Sequence, residues 1–188
     1  MNPFDKIKAT RSSFPEVDLT RDRSIAYSRS TTCRIMELID GNGQGNVHGG
    51  TIMRMVDEAA AVVAMKHSQR PCVTARVDRF DFLAPAYIGN MVSVNCALNY
   101  VGRTSMEVGV EVTAEDLISG EIRHIASSSI IYVALNEEGK PTPVPPLAPT
   151  TQEEAERIEQ AHIRRQHMQK LEEELAQWRA QNLAKKAP

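Results

Sequence analysis

Between residues 51 and 67 the chain is apolar almost all the way round a helical wheel: Ile52, Met53, Met55 and Val56 lead into a nearly unbroken apolar run from Ala59 to Met65. A helix that is hydrophobic on most of its circumference is buried on most of its sides. At about 1.5 Å per residue it is roughly 25 Å long, enough to cross a sheet. Before it, residues 28–38 alternate polar and apolar and predict a first strand. After Pro71 come four strand-like segments, 72–82, 91–101, 105–115 and 122–135. Pro85 to Asn90, Gly102-Arg103-Thr104 and Ile118 to Glu121 separate them, and the second of these turns is short enough for a hairpin. The order is strand, long helix, four strands in meander. The class is therefore α+β, with one long central helix wrapped by a curved antiparallel sheet.

The pattern fades at both ends. Residues 1–24 are polar, mixed in charge and without periodicity, and are expected to be a loosely ordered leader unless they dock on a neighbour. Residues 136–149 hold Pro141, Pro143, Pro145, Pro146 and Pro149 and read as an extended connector. Thr151 and Glu154 then form a capping box, opening a charged helix to about residue 183. Along it Met168, Leu171, Leu175 and Trp178 make a seam suited to packing on a partner or on the chain's own domain. The expected organisation is a leader (1–24), a folded domain (25–148) and a charged C-terminal helix (149–188).

Composition narrows the partners. Among 188 residues, 22 are basic and 24 acidic, a net charge of −2 that offers no electrostatic case for nucleic acid or an anionic membrane. No stretch approaches the ~20 apolar residues of a membrane span. The N-terminal residues include Asp5, Glu16 and Asp18 and lack the apolar core of a secretory signal. Cys33, Cys72 and Cys96 are odd in number, fit no metal spacing and sit in strand-like runs. They read as small buried hydrophobes in a reducing compartment, and a cytoplasmic location follows as an expectation.

The chemistry gathers at residues 42–58, where a glycine-rich loop runs into the apolar helix and the helix carries Asp57. Helix N-termini present free N–H groups and partial positive charge, so the Gly49 and Gly50 amides can face an incoming carbonyl oxygen. An acid on an apolar helix is a working group, half of an ion pair with Arg54, or a residue simply exposed on the helix's one polar stripe. Asn42 and Asn46 are turn residues or amides that orient water or a carbonyl. His48 suits a cap, with no spacing that implies a triad. At the hairpin tip, Arg103, Thr104 and Ser105 are ordinary turn polarity or phosphate ligands. Met53, Val56 and Met91 are candidates for a pocket lining. No metal site is indicated.

Gly45-Asn-Val-His-Gly-Gly-Thr-Ile followed by Met55-Val-Asp-Glu-Ala resembles the hot-dog fold acyl-CoA thioesterases, specifically the domain repeated in the brain-type (cytosolic) kind. Further matches are Cys33-Arg-Ile-Met, Thr74-Ala-Arg-Val-Asp, Asp81-Phe-Leu-Ala-Pro, Ser105-Met-Glu-Val, Tyr132-Val-Ala-Leu, Gly139-Lys-Pro-Thr-Pro-Val-Pro, and Gln169-Lys-Leu-Glu followed by Trp178-Arg, so that about residues 28–180 are covered. The resemblance implies a hot-dog fold and hydrolysis of acyl-CoA to free CoA and a carboxylic acid, without metal or cofactor. It implies that Asn42 and Asp57 do the chemistry, Asp57 as general base or as nucleophile. In two-domain relatives the Asn and the acid come from different domains. Here that implies a homodimer with composite sites, and a trimer of dimers as the further expectation. Gly49 and Gly50 would stabilise the oxyanion, and Arg103, Thr104 and Ser105 would hold CoA phosphate. A non-catalytic acyl-CoA sensor on the same fold is the alternative, and a dehydratase using His48 with Asp57 is a third.

Overall fold

The computed structural model describes residues 14–184, so the leader's first thirteen residues lie outside the described part. In chain order the elements are β1 (Arg23–Ser24), α1 (Ile25–Ser28), β2 (Ser30–Ile35), a 3₁₀ turn (Leu38–Asp40), α2 (Gly49–Ser68), β3 (Cys72–Phe82), β4 (Met91–Val101), β5 (Ser105–Glu115), β6 (Ile122–Ala134), β7 (Leu147–Ala148) and α3 (Gln152–Ala184). The backbone divides into two compact units after Ala148. The first is a hot-dog fold. A five-stranded antiparallel sheet in the order β2-β4-β5-β6-β3 curves round α2.

The core follows from two periodicities meeting. On the sheet, alternate residues of β4 (Val92, Val94, Cys96, Leu98) and β5 (Met106, Val108, Val110, Val112) point inward, and all are buried. On α2 the facing positions are Ile52, Met55, Val56, Ala59, Ala60 and Val63. The small alanines let the helix axis approach the sheet, and interlocking at this density leaves no room for added volume. Val56, expected as pocket lining, is fully buried in this core and lines no open surface. The cysteines divide. Burial pushes the Cys96 thiol up to about 12, as suits a small core residue. Cys33 is exposed instead, because β2 is an edge strand.

The first strand is shorter than the alternation predicts. Ser24 caps the one-turn helix α1 before it, and the chain turns into a 3₁₀ turn after Met36. Neither end of the unit is loose where it is described. Residues 14–24, expected as loosely ordered leader, dock near the C-terminal end of α2: Arg70 donates to the Pro15 carbonyl at 2.8 Å, and the Arg23 guanidinium donates to the His67 carbonyl and, at 2.8 Å, to Gln69. The proline-rich connector also acts as a strap. Val144 is buried in the core, the Arg23 N–H donates to the Pro146 carbonyl at 3.0 Å, and β7 runs parallel to β1. Proline carbonyls still accept, so a segment that cannot join a sheet as a donor can clamp other groups.

His67 is the centre of that clamp and is fully buried. Its Nε2 lies 2.9 Å from the Pro145 carbonyl, which can only accept, so the ring donates from Nε2, while Nδ1 has no partner among the described residues. Burial lowers its pKa from 6.5; the Pro145 bond opposes that, and the Arg23 charge adds to it. The unfolded chain therefore binds the proton more readily than the folded one. Stability is retained above 6.5 and is lost progressively as pH falls below that value toward the lower folded pKa. Melting temperature followed against pH should be level on the neutral side and decline on the acid side, and His67→Gln should flatten the decline.

The second unit is the helix α3 with its lead-in. Its capping box is displaced by one residue: Thr151 Oγ1 accepts the Glu154 N–H at 3.2 Å, but the Glu154 carboxylate returns to the N–H and hydroxyl of Thr150, both at 2.8 Å. Leu171, Leu175 and Trp178 on the predicted seam are exposed.

Candidate active site

The loop entering α2 is built around two side chains. Asp40, nearly buried, accepts from the Glu37 N–H at 2.9 Å and from Arg34 at 2.6 Å, and its own carbonyl accepts the His48 N–H at 2.7 Å. The Glu37 N–H first, and Arg34 with it, hold its carboxyl below the usual carboxylate range against the cost of burial. Asn42 then folds the glycine-rich segment over itself. Its Oδ1 accepts from the N–H groups of Gln44 at 2.8 Å and Asn46 at 3.2 Å. With Oδ1 so occupied, the Asn42 amide has its N–H₂ donors left to offer.

His48 is the cap of α2: its Nδ1 accepts the Gly50 N–H at 2.9 Å. This bond takes up one of the two expected carbonyl donors. Gly50 is already spoken for, whereas the Gly49 N–H has no acceptor among the described residues. Gly49 and Asn42 line the same open groove of about 360 Å³, with Val47, Ile52, Phe82 and Ile125 among its apolar walls. A side chain at Gly49 would meet the Phe82 ring at 3.2 Å, so glycine here keeps the approach to the helix terminus clear.

Asp57 lies eight residues beyond Gly49, about 12 Å further along the helix axis. It is exposed, and it has no ion pair with Arg54, which instead bonds Glu58 at 2.8 Å. Two hydroxyls hold it: Thr74 Oγ1 donates to Oδ1 at 2.7 Å and Tyr132 Oη to the same Oδ1 at 2.9 Å. Thr74 and Tyr132 are direct partners across the β3–β6 ladder, so both side chains rise from one face of the sheet toward the helix. The ladder shifts register just after Thr74, where β3 bulges. His48 is engaged at the cap, roughly 13 Å along the helix from Asp57, and forms no dyad with it.

Thr74 and Tyr132 carried no predicted role. The sequence signal for them is thin: a threonine and a tyrosine in strands are ordinary strand formers. The phosphate candidates Arg103, Thr104 and Ser105 form the β4–β5 turn, with Arg103 exposed and Ser105 paired with Val133. That register sets the turn next to the Thr74–Tyr132 level, at the Asp57 side of the sheet and away from the groove at Gly49. One chain thus holds two separated groups, Asn42 with Gly49, and Asp57 with Thr74 and Tyr132. Among the described residues no cluster has the make-up of a metal site.

A hot-dog domain whose central helix starts in a glycine-rich loop and carries a hydroxyl-held acid is the class that fold and geometry define. The family model described as the thioesterase superfamily matches residues 44–121. A Bacillus subtilis protein named as an uncharacterized acyl-CoA thioester hydrolase, YkhA, is 37% identical over 147 residues, covering 74% of this chain and 85% of that one. The chain spans about a third of the length, 36%, of the rat and mouse cytosolic acyl coenzyme A thioester hydrolases, to which it is 34% identical over 139 residues. Among solved structures, an apo-hexameric acyl-CoA thioesterase superposes with TM-score 0.78 at 36% identity, over 80% of this chain and 96% of that one. An acyl-CoA hydrolase from Staphylococcus aureus, solved with butyryl coenzyme A, coenzyme A and coenzyme A disulfide, superposes with TM-score 0.69 at 33% identity, over 83% of this chain and 99% of that one. The same enzyme has been solved with an aspartate, a threonine or an asparagine replaced by alanine. The chain belongs to the thioesterase superfamily and has its hot-dog fold.

Proposed function

We propose that the protein hydrolyses acyl-CoA thioesters to free coenzyme A and a carboxylic acid, at sites shared between two copies of the chain. One observation carries this. Asn42, Asp57 and Thr74 have the residue types replaced in the Staphylococcus aureus hydrolase, and at the same spacing, the acid fifteen residues after the amide and the hydroxyl seventeen after the acid. Here the hydroxyl bonds the acid directly.

The thioester carbonyl docks at the start of α2, where the Gly49 N–H and the helix dipole meet its oxygen. Developing oxyanion charge is strongest in the transition state, so such a donor lowers the barrier more than it tightens substrate binding. The Asn42 N–H₂ holds the carbonyl or the water. Asp57 uses Oδ2, either taking the proton of an attacking water or attacking the carbonyl carbon itself. Collapse of the tetrahedral intermediate breaks the C–S bond and releases the CoA thiolate, which takes up a proton; where Asp57 is the nucleophile, water then cleaves the resulting mixed anhydride to the carboxylic acid and the free Asp57 carboxylate. Arg103, with Thr104 and Ser105, supplies charge and hydroxyls for CoA phosphate.

The sharing of sites is supported by what one chain leaves uncovered. β3 is an edge strand of eleven residues with Val73 to Val77 all exposed. Such an edge offers unpaired backbone groups to another strand. Met53 and Met65 flank Asp57 on the exposed side of α2, and Val62, Val73 and Val77 extend that apolar surface. A two-fold copy laid antiparallel along β3 would bring the start of its α2 toward this Asp57, closing the 12 Å gap that α2 imposes within one chain. A hexamer built of three such dimers, and a cytoplasmic setting, fit the same proposal. Free thiol released from a series of short- to long-chain acyl-CoAs tests it; no release across the series would overturn it.

A further inference from the structure

The Asp57 carboxylate is held unequally. Oδ1 takes both hydroxyl donors, while Oδ2 has no donor among the described residues. The two holders also differ. Thr74 is exposed on the edge strand, whereas Tyr132 is 1% exposed, with its ring packed in the core. The Tyr132 hydroxyl reaches the Asp57 main-chain carbonyl at 2.8 Å as well as Oδ1 at 2.9 Å. Its single proton is therefore shared, in a three-centre bond, between the carboxylate and the helix backbone that bears it.

We infer that Tyr132 is a positioning residue for the hydrolysis proposed above: from inside the core its hydroxyl locks the Asp57 side chain so that Oδ2 faces the substrate. An aspartate on an exposed helix face otherwise divides its time among staggered rotamers. One donor at the edge would move with the edge. A donor fixed by core packing does not, and reacting groups displaced by about 1 Å lose on the order of 10² in rate. Burial, and after it the bond to Asp57, pushes the phenol's pKa upward from 10, so the group stays a donor at any working pH. The inference rests on the hydrolase function, because it concerns which oxygen does the work.

The test uses the full chain, with Tyr132→Phe, Thr74→Val and the double variant, each assayed for thiol release and for thermal unfolding. Tyr132→Phe keeps the ring and removes only the hydroxyl. Its kcat should fall about 10- to 100-fold while KM stays within about three-fold. Because both hydroxyls act on one oxygen, the double variant should lose less than the product of the single losses. Incorporating 3-fluorotyrosine at position 132, which restores a hydroxyl, should restore kcat. If kcat is unchanged in Tyr132→Phe, or only KM moves, or the chain fails to fold, the residue is structural and the inference is overturned. A parent chain that releases no thiol overturns the hydrolase function itself, which an active parent with an unaffected Tyr132→Phe would not.

Discussion

Asp57→Ala is expected to lower kcat for acyl-CoA hydrolysis by about 10²–10⁴-fold, the range lost when a group that moves a proton or attacks in the transition state is removed. Folding should hardly change. Asp57 is exposed, and the buried partner it leaves behind is not stranded, because the Tyr132 hydroxyl still has the main-chain carbonyl of residue 57 at 2.8 Å. A single exchanged hydrogen bond is worth about 1 kcal/mol, so the melting temperature should shift by a few degrees at most. Thiol release at saturating substrate and thermal unfolding on the same preparation check both halves. A variant with activity within a few-fold of the parent would remove Asp57 from the chemistry.

Mixing two inactive proteins should produce an active one. Asn42→Ala has an intact acid and Asp57→Ala an intact amide. If each site draws the amide from one copy and the acid from the other, a mixed dimer contains one complete site and one doubly damaged site. Random pairing of equal amounts makes half the dimers mixed, so about a quarter of the parent's sites return. Each variant alone stays inactive. Co-refolding ensures exchange of subunits, and distinct tags report it. Mixed dimers that form without any recovery would show that amide and acid serve within one chain, against the 12 Å that α2 sets between Gly49 and Asp57.

Regular structure was legible because its cause is local. The predicted strands 72–82, 91–101 and 105–115 coincide with β3, β4 and β5, where alternation and turn residues act over a few positions. The helix differs only at its ends, starting at Gly49 because His48 reaches Gly50 and stopping where Gln69 takes the left-handed conformation. The first strand was drawn too long because α1 and the 3₁₀ turn are single turns, too short to show a period. The clamping role of the proline-rich connector leaves no trace in the sequence for a different reason. Its binding partners, His67 and Arg23, are far away in sequence, and a carbonyl that accepts from them leaves no mark on residue type.

The site divides along the same line. Asn42, Gly49 and Asp57 stand out because glycines before a helix and an acid on an apolar one are unusual locally. Asp40, Thr74 and Tyr132 do not stand out. An aspartate in a turn, a threonine in an edge strand and a tyrosine in a core strand are what any such protein uses. Their roles arise from register: β3 pairs with β6 so that Thr74 faces Tyr132, and α2 lies over that pair with Asp57 above it.

By itself the sequence determined an α+β chain with one buried helix, an antiparallel meander, and an asparagine, a pair of helix-start glycines and an acid placed along one segment. Those follow from periodicity and from the rarity of glycine and aspartate in such places. Only the tertiary structure decided which oxygen of Asp57 is held, that Gly50 belongs to His48 while Gly49 remains open, and that amide and acid lie apart in one chain. Those depend on distances between residues remote in sequence, which composition does not encode and which the packing of a rigid helix on a registered sheet does.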